Sequence, residues 1–471
     1  MSRVAHPAGP RHAGVLPDDR PPRVCPRPPA NLNDLFPHLW PRTAGRAGGA
    51  LTIGGVDVRD LATEFGTPLF VCAEEDFRER CRGFRAAFGP QAAVCYAAQA
   101  FCCRGVLRWV AEEGLGVAAC TGGELEVALR AGVPPGTITL HGSNKLPGEL
   151  ARALEAGVGR IVVDSFEEIA RLAYLTDPLP GETPATRPGL LIRVAVGVAA
   201  TRHEFVASEH DDQKSGFSLA SGAAAEAVRR VQAAPGLDLA GLHTHIGSQI
   251  FGADGFEMAV RRLAGLAAQV HAADGPQIAE LSLGGGFGIS YTPDDDPPGV
   301  EVLARRLPEI VAAQWAAHDL AAPRLAVEPG RAIAGPGTIT LYEVGTVKDV
   351  DGLRSYVSVD GGMSDNIRTA CCDAVYTCVL ASRESAAPAM LSRVAGRHGP
   401  GADIVVRDCY LPSDLVPGDL VAVAATGAYC RSMASNYNHM PRPAVVAVAD
   451  GSARLLVRRE TMDDLLRLDA G

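Results

Sequence analysis

The 471-residue sequence contains no run of about 18 or more apolar residues, so no membrane-spanning helix is expected. Its N-terminus lacks the apolar segment of a secretory signal, which leaves the cytoplasm as the expected location. Excess positive charge is missing too. The formal net charge is −10, whereas nucleic acids and anionic membranes are bound by a dense cationic face. Neither a C-x-x-C motif nor a Cys/His cluster at zinc-ligand spacing is present. Cys102–Cys103 and Cys371–Cys372 are adjacent pairs. In a chain without a secretion signal, scattered cysteines read as small buried apolar residues, and no metal site is expected. No repeat of 20–50 residues stands out beyond an alternation of strands and helices.

What is present is ample material for a core, at 47% hydrophobic, and length enough for a large barrel plus a smaller unit. Residues 1–32 are rich in Pro, Arg and Gly without apolar periodicity, which predicts a disordered tail. Residues 33–66 form an N-terminal segment whose strand, Leu51–Val58, is expected to join a β domain. From 67 to 335, short β-rich runs alternate with segments of helical periodicity. The runs are Val94–Ala98, Val117–Thr121, Ile138–Gly142, Ile161–Ser165, Leu190–Val194, Leu239–Ile246, Ile278–Gly286 and Arg324–Gly330. Eight strands, each followed by a helix or a long connection, predict an α/β fold of the (β/α)8, TIM-like barrel type. From 336 to 471 the strands are separated by turns, which predicts a C-terminal all-β domain. Its expected strands are Ile339–Val347, Tyr356–Val359, Ile404–Arg407, Leu420–Ala424, Ala444–Val448 and Ala453–Val457.

Barrels of this type carry their chemistry at the C-terminal strand ends. Here those ends read Gln99, Thr121, His141, Asp164–Ser165, Arg193, His245, Gly284–Gly286 and Glu328. The run Gly284-Gly285-Gly286 follows a late strand, where backbone N–H groups can close on a phosphate; a tight turn is the structural alternative. Glu328, with Arg331 three residues on, has the chemistry to meet a protonated ring nitrogen and an anion of one ligand. A surface ion pair is the plainer reading of the same residues. His243 and His245 share one strand face, fit for metal ligation without a third ligand at matching spacing, or for stacking on a flat ring with Ser248 reaching a phosphate. Phosphate cup, ring carboxylate, stacking histidine and barrel together point to pyridoxal phosphate.

From Asn31 to the C-terminus the sequence resembles the diaminopimelate decarboxylases, pyridoxal-phosphate enzymes of the alanine-racemase/ornithine-decarboxylase-like fold (fold type III). The resemblance rests on Cys120–Leu125, His141–Lys145, His203–Phe205, His243–Gln249, Gly284–Gly286, Glu328–Arg331, Asp360–Arg368 and Gly427–Tyr429. It implies that His245 stacks on the cofactor ring. Ser248, Gly284, Gly285, Gly286 and Arg331 hold the phosphate, Glu328 faces the ring nitrogen, and Tyr429 closes over the cofactor. Arg368, with Arg331 and Tyr429, meets the substrate. It also implies a homodimer, a lysine-forming decarboxylation of meso-diaminopimelate, and a small amino acid as the partner, with no nucleic acid and no membrane.

The departures fall on the reacting centre. Gln99 stands where the family has its Schiff-base lysine, and a carboxamide forms no Schiff base. Gly399 and Pro400 stand at the Cys-Glu positions that supply a proton to the neighbouring subunit's site. Ala118 replaces an acidic residue, Cys372 a tyrosine, and Ser215 the phenylalanine of Lys-Phe-Gly. Gln99, Gly399 and Pro400 are therefore expected to be non-functional, with the cofactor held non-covalently and ordinary turnover lost. Two other outcomes stay open on the residues alone. One is an active pyridoxal-phosphate decarboxylase or other such reaction in a specialised pathway, with Lys145 or Lys214 as the nearest replacement amines. The other is a non-catalytic regulatory or ligand-binding relative, including a heterodimer with an active one.

Overall fold

A computed structural model describes residues 28–177, 189–198, 214–350 and 353–471. The expected N-terminal tail falls almost wholly outside the described residues, as do His203, Glu204 and Phe205. The chain divides into two compact units. One comprises residues 78–288 with 296–333; the other comprises residues up to 77, 289–295 and 334–471. Among the described residues no helix is long and apolar enough to cross a membrane.

The first unit is a closed eight-stranded parallel barrel. Its strands are β5 (Ala93–Ala97), β6 (Gly116–Ala119), β7 (Ile138–Leu140), β8 (Arg160–Val163), β9 (Gly189–Ala195), β11 (Asp238–His243), β12 (Glu280–Ser282) and β13 (Arg324–Val327). They pair in chain order, and β13 returns to β5 to close the ring. A two-residue strand, β10 (Phe217–Ser218), extends the upper end of β9. Strands buried on both faces read as the unbroken apolar runs seen in the sequence. The intervening helices obey local rules. Thr121 accepts from the Glu124 N–H to start helix Gly122–Ala131, which Gly132 ends in the left-handed region at φ 86°. Ser165 caps helix Phe166–Thr176 in the same way. Two of the polar strand ends, Thr121 and Ser165, are thus helix caps.

The second unit contains a three-stranded antiparallel sheet of β1 (Gly45–Ala47), β2 (Ala50–Ile53) and β3 (Val56–Asp57). It also contains a nine-stranded mixed sheet. That sheet runs through β18 (Ile404–Pro412), β17 (Ala389–Ala395), β15 (Arg354–Val359), β14 (Thr338–Val350), β4 (Leu69–Ala73), β20 (Ala444–Ala449) and β21 (Ser452–Val457), with β16 (Cys378–Leu380) and β19 (Leu420–Val423) attached beside β14. The strand starting at Leu51 lies in this unit, as β2 of the small sheet. The N-terminal strand that joins the large sheet is β4, antiparallel to β14 and parallel to β20. Residues 67–77 accordingly lie in this unit rather than at the start of the barrel. The physical reason is shared burial. Leu69 and Val71 enter one core with Leu51, Ile53, Trp40, Ile339, Leu341 and Val446. Strands β16 and β17 escaped the sequence reading. A three-residue buried run such as Cys378-Val379-Leu380 is too short to show alternation.

One barrel position tests the closure directly. Gly241 lies at an irregularity of β11, and a Cβ there would land on the Glu280 carbonyl oxygen of β12. Gly241→Ala should lower the unfolding free energy by about 2–3 kcal/mol, read by urea denaturation, as backbone overpacking does. An unchanged midpoint would mean that β11 and β12 are not in this register.

Candidate functional site

The barrel's C-terminal end is organised around a buried carboxylate. Glu328 immediately follows β13 and is 9% exposed. One of its oxygens, Oε1, accepts from the Ser282 hydroxyl at 2.8 Å and lies 3.4 Å from His141 Nε2. The other, Oε2, lies 3.4 Å from His243 Nε2. Burial alone would raise the Glu328 carboxyl, but the two histidines outweigh it and hold the group well below the usual carboxylate range. Burial pushes His243 down to about 4, so its imidazole is neutral near pH 7 and donates an N–H rather than a charge. His141, His243 and Glu328 each offer one ligand atom within 4.8 Å of the others. His243 therefore has two partners, one 102 residues upstream at position 141 (243 − 141) and one 85 residues downstream at position 328 (328 − 243), and His245 is not part of this group. Sequence spacing had no means of showing it.

His245 does something different from His243. Its Nδ1 accepts from the Gly285 N–H at 3.1 Å, which leaves the proton on Nε2. Burial, then the Arg193 charge, pushes this ring to about 4 as well. The glycine run beside it is required by close approach. A Cβ at Gly284 (φ 65°) would meet Thr244 O at 2.7 Å, and one at Gly285 would meet Glu328 O at 2.5 Å. Arg331 is buried, so the surface ion pair considered for Glu328 and Arg331 does not hold. A guanidinium N–H of Arg331 donates to Ser248 Oγ at 2.9 Å. The barrel end thus joins a neutral imidazole ring, a charged carboxylate and an Arg–Ser pair within one set of neighbouring strand ends.

Gln99 sits in a short turn, Ala98–Ala100, directly after β5, with its side chain exposed. The turn is pinned to the segment after Glu328. The Ala97 N–H donates to Pro329 O at 3.2 Å, and a Cβ on Gly330 would touch Ala97 and Ala100. The lysines of the chain are Lys145, Lys214 and Lys348. Lys145 is consumed: its ammonium donates to Gly142 O at 2.7 Å, Val162 O at 2.6 Å and Glu168 Oε1 at 2.7 Å, and it is 2% exposed. Burial lowers its pKa against the pull of Glu168, so the pair is a structural brace and Lys145 is no spare amine. Lys348 belongs to the other unit. Lys214 is exposed on a segment tethered where the Gly216 N–H meets Asp164.

In the second unit, Gly399 and Pro400 lie exposed in the loop between β17 and β18 and bring no titratable group. Arg368 opens the short helix Arg368–Cys372 and donates to the hydroxyls of Tyr291 and Tyr376. Tyr429 holds the left-handed region at φ 61°, a strained setting for a bulky residue. Cys372 ends the Arg368 helix.

This donor set fits pyridoxal phosphate in part. The neutral ring of His245, the carboxylate of Glu328 and the Arg331–Ser248 pair match a flat ring with a basic nitrogen and a phosphate. The amine that would anchor its aldehyde is missing at Gln99.

Residues 74–335 match the family described as "Pyridoxal-dependent decarboxylase, pyridoxal binding domain". Diaminopimelate decarboxylase from Mycobacterium tuberculosis is 57% identical over 447 residues, covering 93% of this chain and 99% of the relative. The Bacillus subtilis diaminopimelate decarboxylase is 41% identical over 424 residues, covering 89% and 95%. Among solved structures, diaminopimelate decarboxylase from M. jannaschii in complex with L-lysine superposes with a TM-score of 0.83 at 28% identity, covering 91% of this chain and 98% of that one.

The buried rings carry a pH signature. An imidazole in the unfolded chain titrates near 6.5; burial in the fold pushes His245 down to about 4. A base with a depressed folded pKa stabilises the fold above 6.5 and loses that contribution as pH falls toward 4. Unfolding free energy should therefore drop across this window by about 1.4 kcal/mol per pH unit for each such histidine, and less steeply in His245→Gln. A flat profile, or an equally steep variant, would contradict the neutral buried ring.

Proposed function

Because the chain belongs to the diaminopimelate decarboxylase family, we propose that it binds pyridoxal phosphate non-covalently and a diaminopimelate-type amino acid, and has lost ordinary decarboxylation. The observation that carries this reading is the missing amine. Gln99 occupies the turn after β5, Lys145 is locked onto Glu168, and no lysine other than Lys214 remains in the barrel unit. A carboxamide neither forms an imine nor takes up a proton at neutral pH, so covalent anchoring and base-assisted product release are both gone.

When bound, the cofactor supplies an electron-poor ring that accepts the electron pair freed as carbon dioxide leaves. This chain's own residues do the rest. Glu328, kept ionised, would hold a proton on the ring nitrogen. His245 would stack on the ring, and Ser248, Arg331 and the Gly284–Gly286 amides would hold the phosphate. The family's motifs assign Tyr429 to the cofactor and Arg368 to a substrate carboxylate. The proton donor at Gly399–Pro400 is absent, a second loss that adds little once the amine is gone. We take the assembly to be a homodimer. Paired with an active relative, this chain would leave each of two sites short of one group, and so would silence its partner rather than complement it.

Titration with pyridoxal phosphate, followed by borohydride and intact-mass measurement, is the deciding experiment. Saturable absorbance changes without a fixed adduct, and no carbon dioxide from added diaminopimelate, are expected. An adduct mapped to Lys214, or steady carbon dioxide release, would overturn the reading.

Restoring the amine gives a second test. Gln99→Lys should yield a borohydride-fixed adduct at position 99. Decarboxylation in that variant should stay well below that of an active relative, because Gly399 and Pro400 still supply no proton. Full activity in the single variant would show that the Cys-Glu positions do not matter here.

A further inference from the structure

Cys371 and Cys372 have no part in the function proposed above, and they are not ordinary buried cysteines. Both are half-buried, and their sulfurs lie 3.0 Å apart, inside van der Waals contact. They end the short helix that Arg368 begins. We propose that Cys371 and Cys372 are a redox-active vicinal dithiol, oxidised by a small-molecule disulfide to a ring disulfide that distorts the helix carrying Arg368.

The covalent geometry makes this bond a reversible one. Disulfides span Cα atoms about 4.4–6.8 Å apart, whereas adjacent residues on a trans peptide are fixed about 3.8 Å apart. A bond between them is strained, and strained, accessible disulfides are the easily reduced, regulatory kind. Balance requires no metal. The Cys372 thiolate attacks one sulfur of glutathione disulfide and expels a glutathione thiolate. The Cys371 sulfur then displaces the second glutathione. The pair loses two electrons and two protons, and glutathione disulfide gains them as two thiols. The hydrogen bond with Cys372, and then burial, raises the Cys371 thiol.

The strain has a place to go. Helix Arg368–Cys372 is tied on both sides of the pair by Arg407, which donates to Thr369 O at 3.0 Å and pairs with Asp373 at 2.5 Å. The Cys371 N–H donates to Ile367 O at 3.0 Å, and the Ala374 N–H to Arg368 O at 3.3 Å. Closing a ring at 371–372 turns the peptide between those anchors and breaks the single helical turn that fixes Arg368 against Tyr291 and Tyr376. The effect on ligand binding rests on the substrate role proposed for Arg368; formation of the ring does not.

The full chain, fully reduced, should be incubated with glutathione disulfide at mildly alkaline pH, then mapped by mass and by hydrogen exchange. The expected result is loss of two hydrogens on the peptide holding Cys371 and Cys372, reversed by dithiothreitol and absent in Cys372→Ser. Amides of residues 369–374 should exchange faster in the oxidised form, and L-lysine should bind it more weakly than the reduced form. Thiols that stay free, a lasting glutathione adduct on one cysteine, or a ring with unchanged exchange would each overturn the proposal. Failure of lysine to bind the reduced chain counts against the proposed function alone, because mass and exchange read the ring without a ligand.

Discussion

A carboxylate buried without bulk water is destabilising unless donors surround it, and the barrel end is built to satisfy that condition for Glu328. Ser282 reaches it from β12, His243 from β11 and His141 from beyond β7. Three strand ends are therefore fixed in position by one anion. At His243 a neutral imidazole is the right donor. A charged histidine would compensate Glu328 outright, whereas an N–H donor leaves negative potential free to act on a ligand. The Gly284–Gly286 turn and the Arg331–Ser248 pair extend from the same strands.

Much of this was legible in the sequence, for identifiable reasons. Barrel strands buried on both faces leave continuous apolar runs, and all eight were visible within a few residues of their observed bounds. The glycine run and the Glu328–Arg331 segment carried the site because local spacing encodes close backbone approach. What stayed hidden was long-range. The partnership of His141 with Glu328 spans 187 residues (328 − 141), and no periodicity records it. The docking of β4 beside β14 and β20 was equally out of reach. A short apolar run such as Leu69–Ala73 suits a barrel and a sheet alike until its core partners are known. Lys145 taught the converse lesson. By position it resembled a spare amine, and only its three acceptors show that it is part of the framework.

A tight glycine turn beside a buried Arg–Ser pair invites the inference that a phosphate is bound there. The glycines alone do not support it. Side chains at Gly284, Gly285 and Gly286 would strike Thr244 O, Glu328 O and Gly247 O, so the fold needs glycine there with or without a ligand. The charged groups are different. A buried anion at Glu328 and a buried guanidinium at Arg331 each carry a desolvation penalty that apolar residues of similar volume would avoid. Groups that weaken a fold persist where they do something else. The buried charges of Glu328 and Arg331, not the glycine turn, are the physical grounds for a bound ligand at this barrel end.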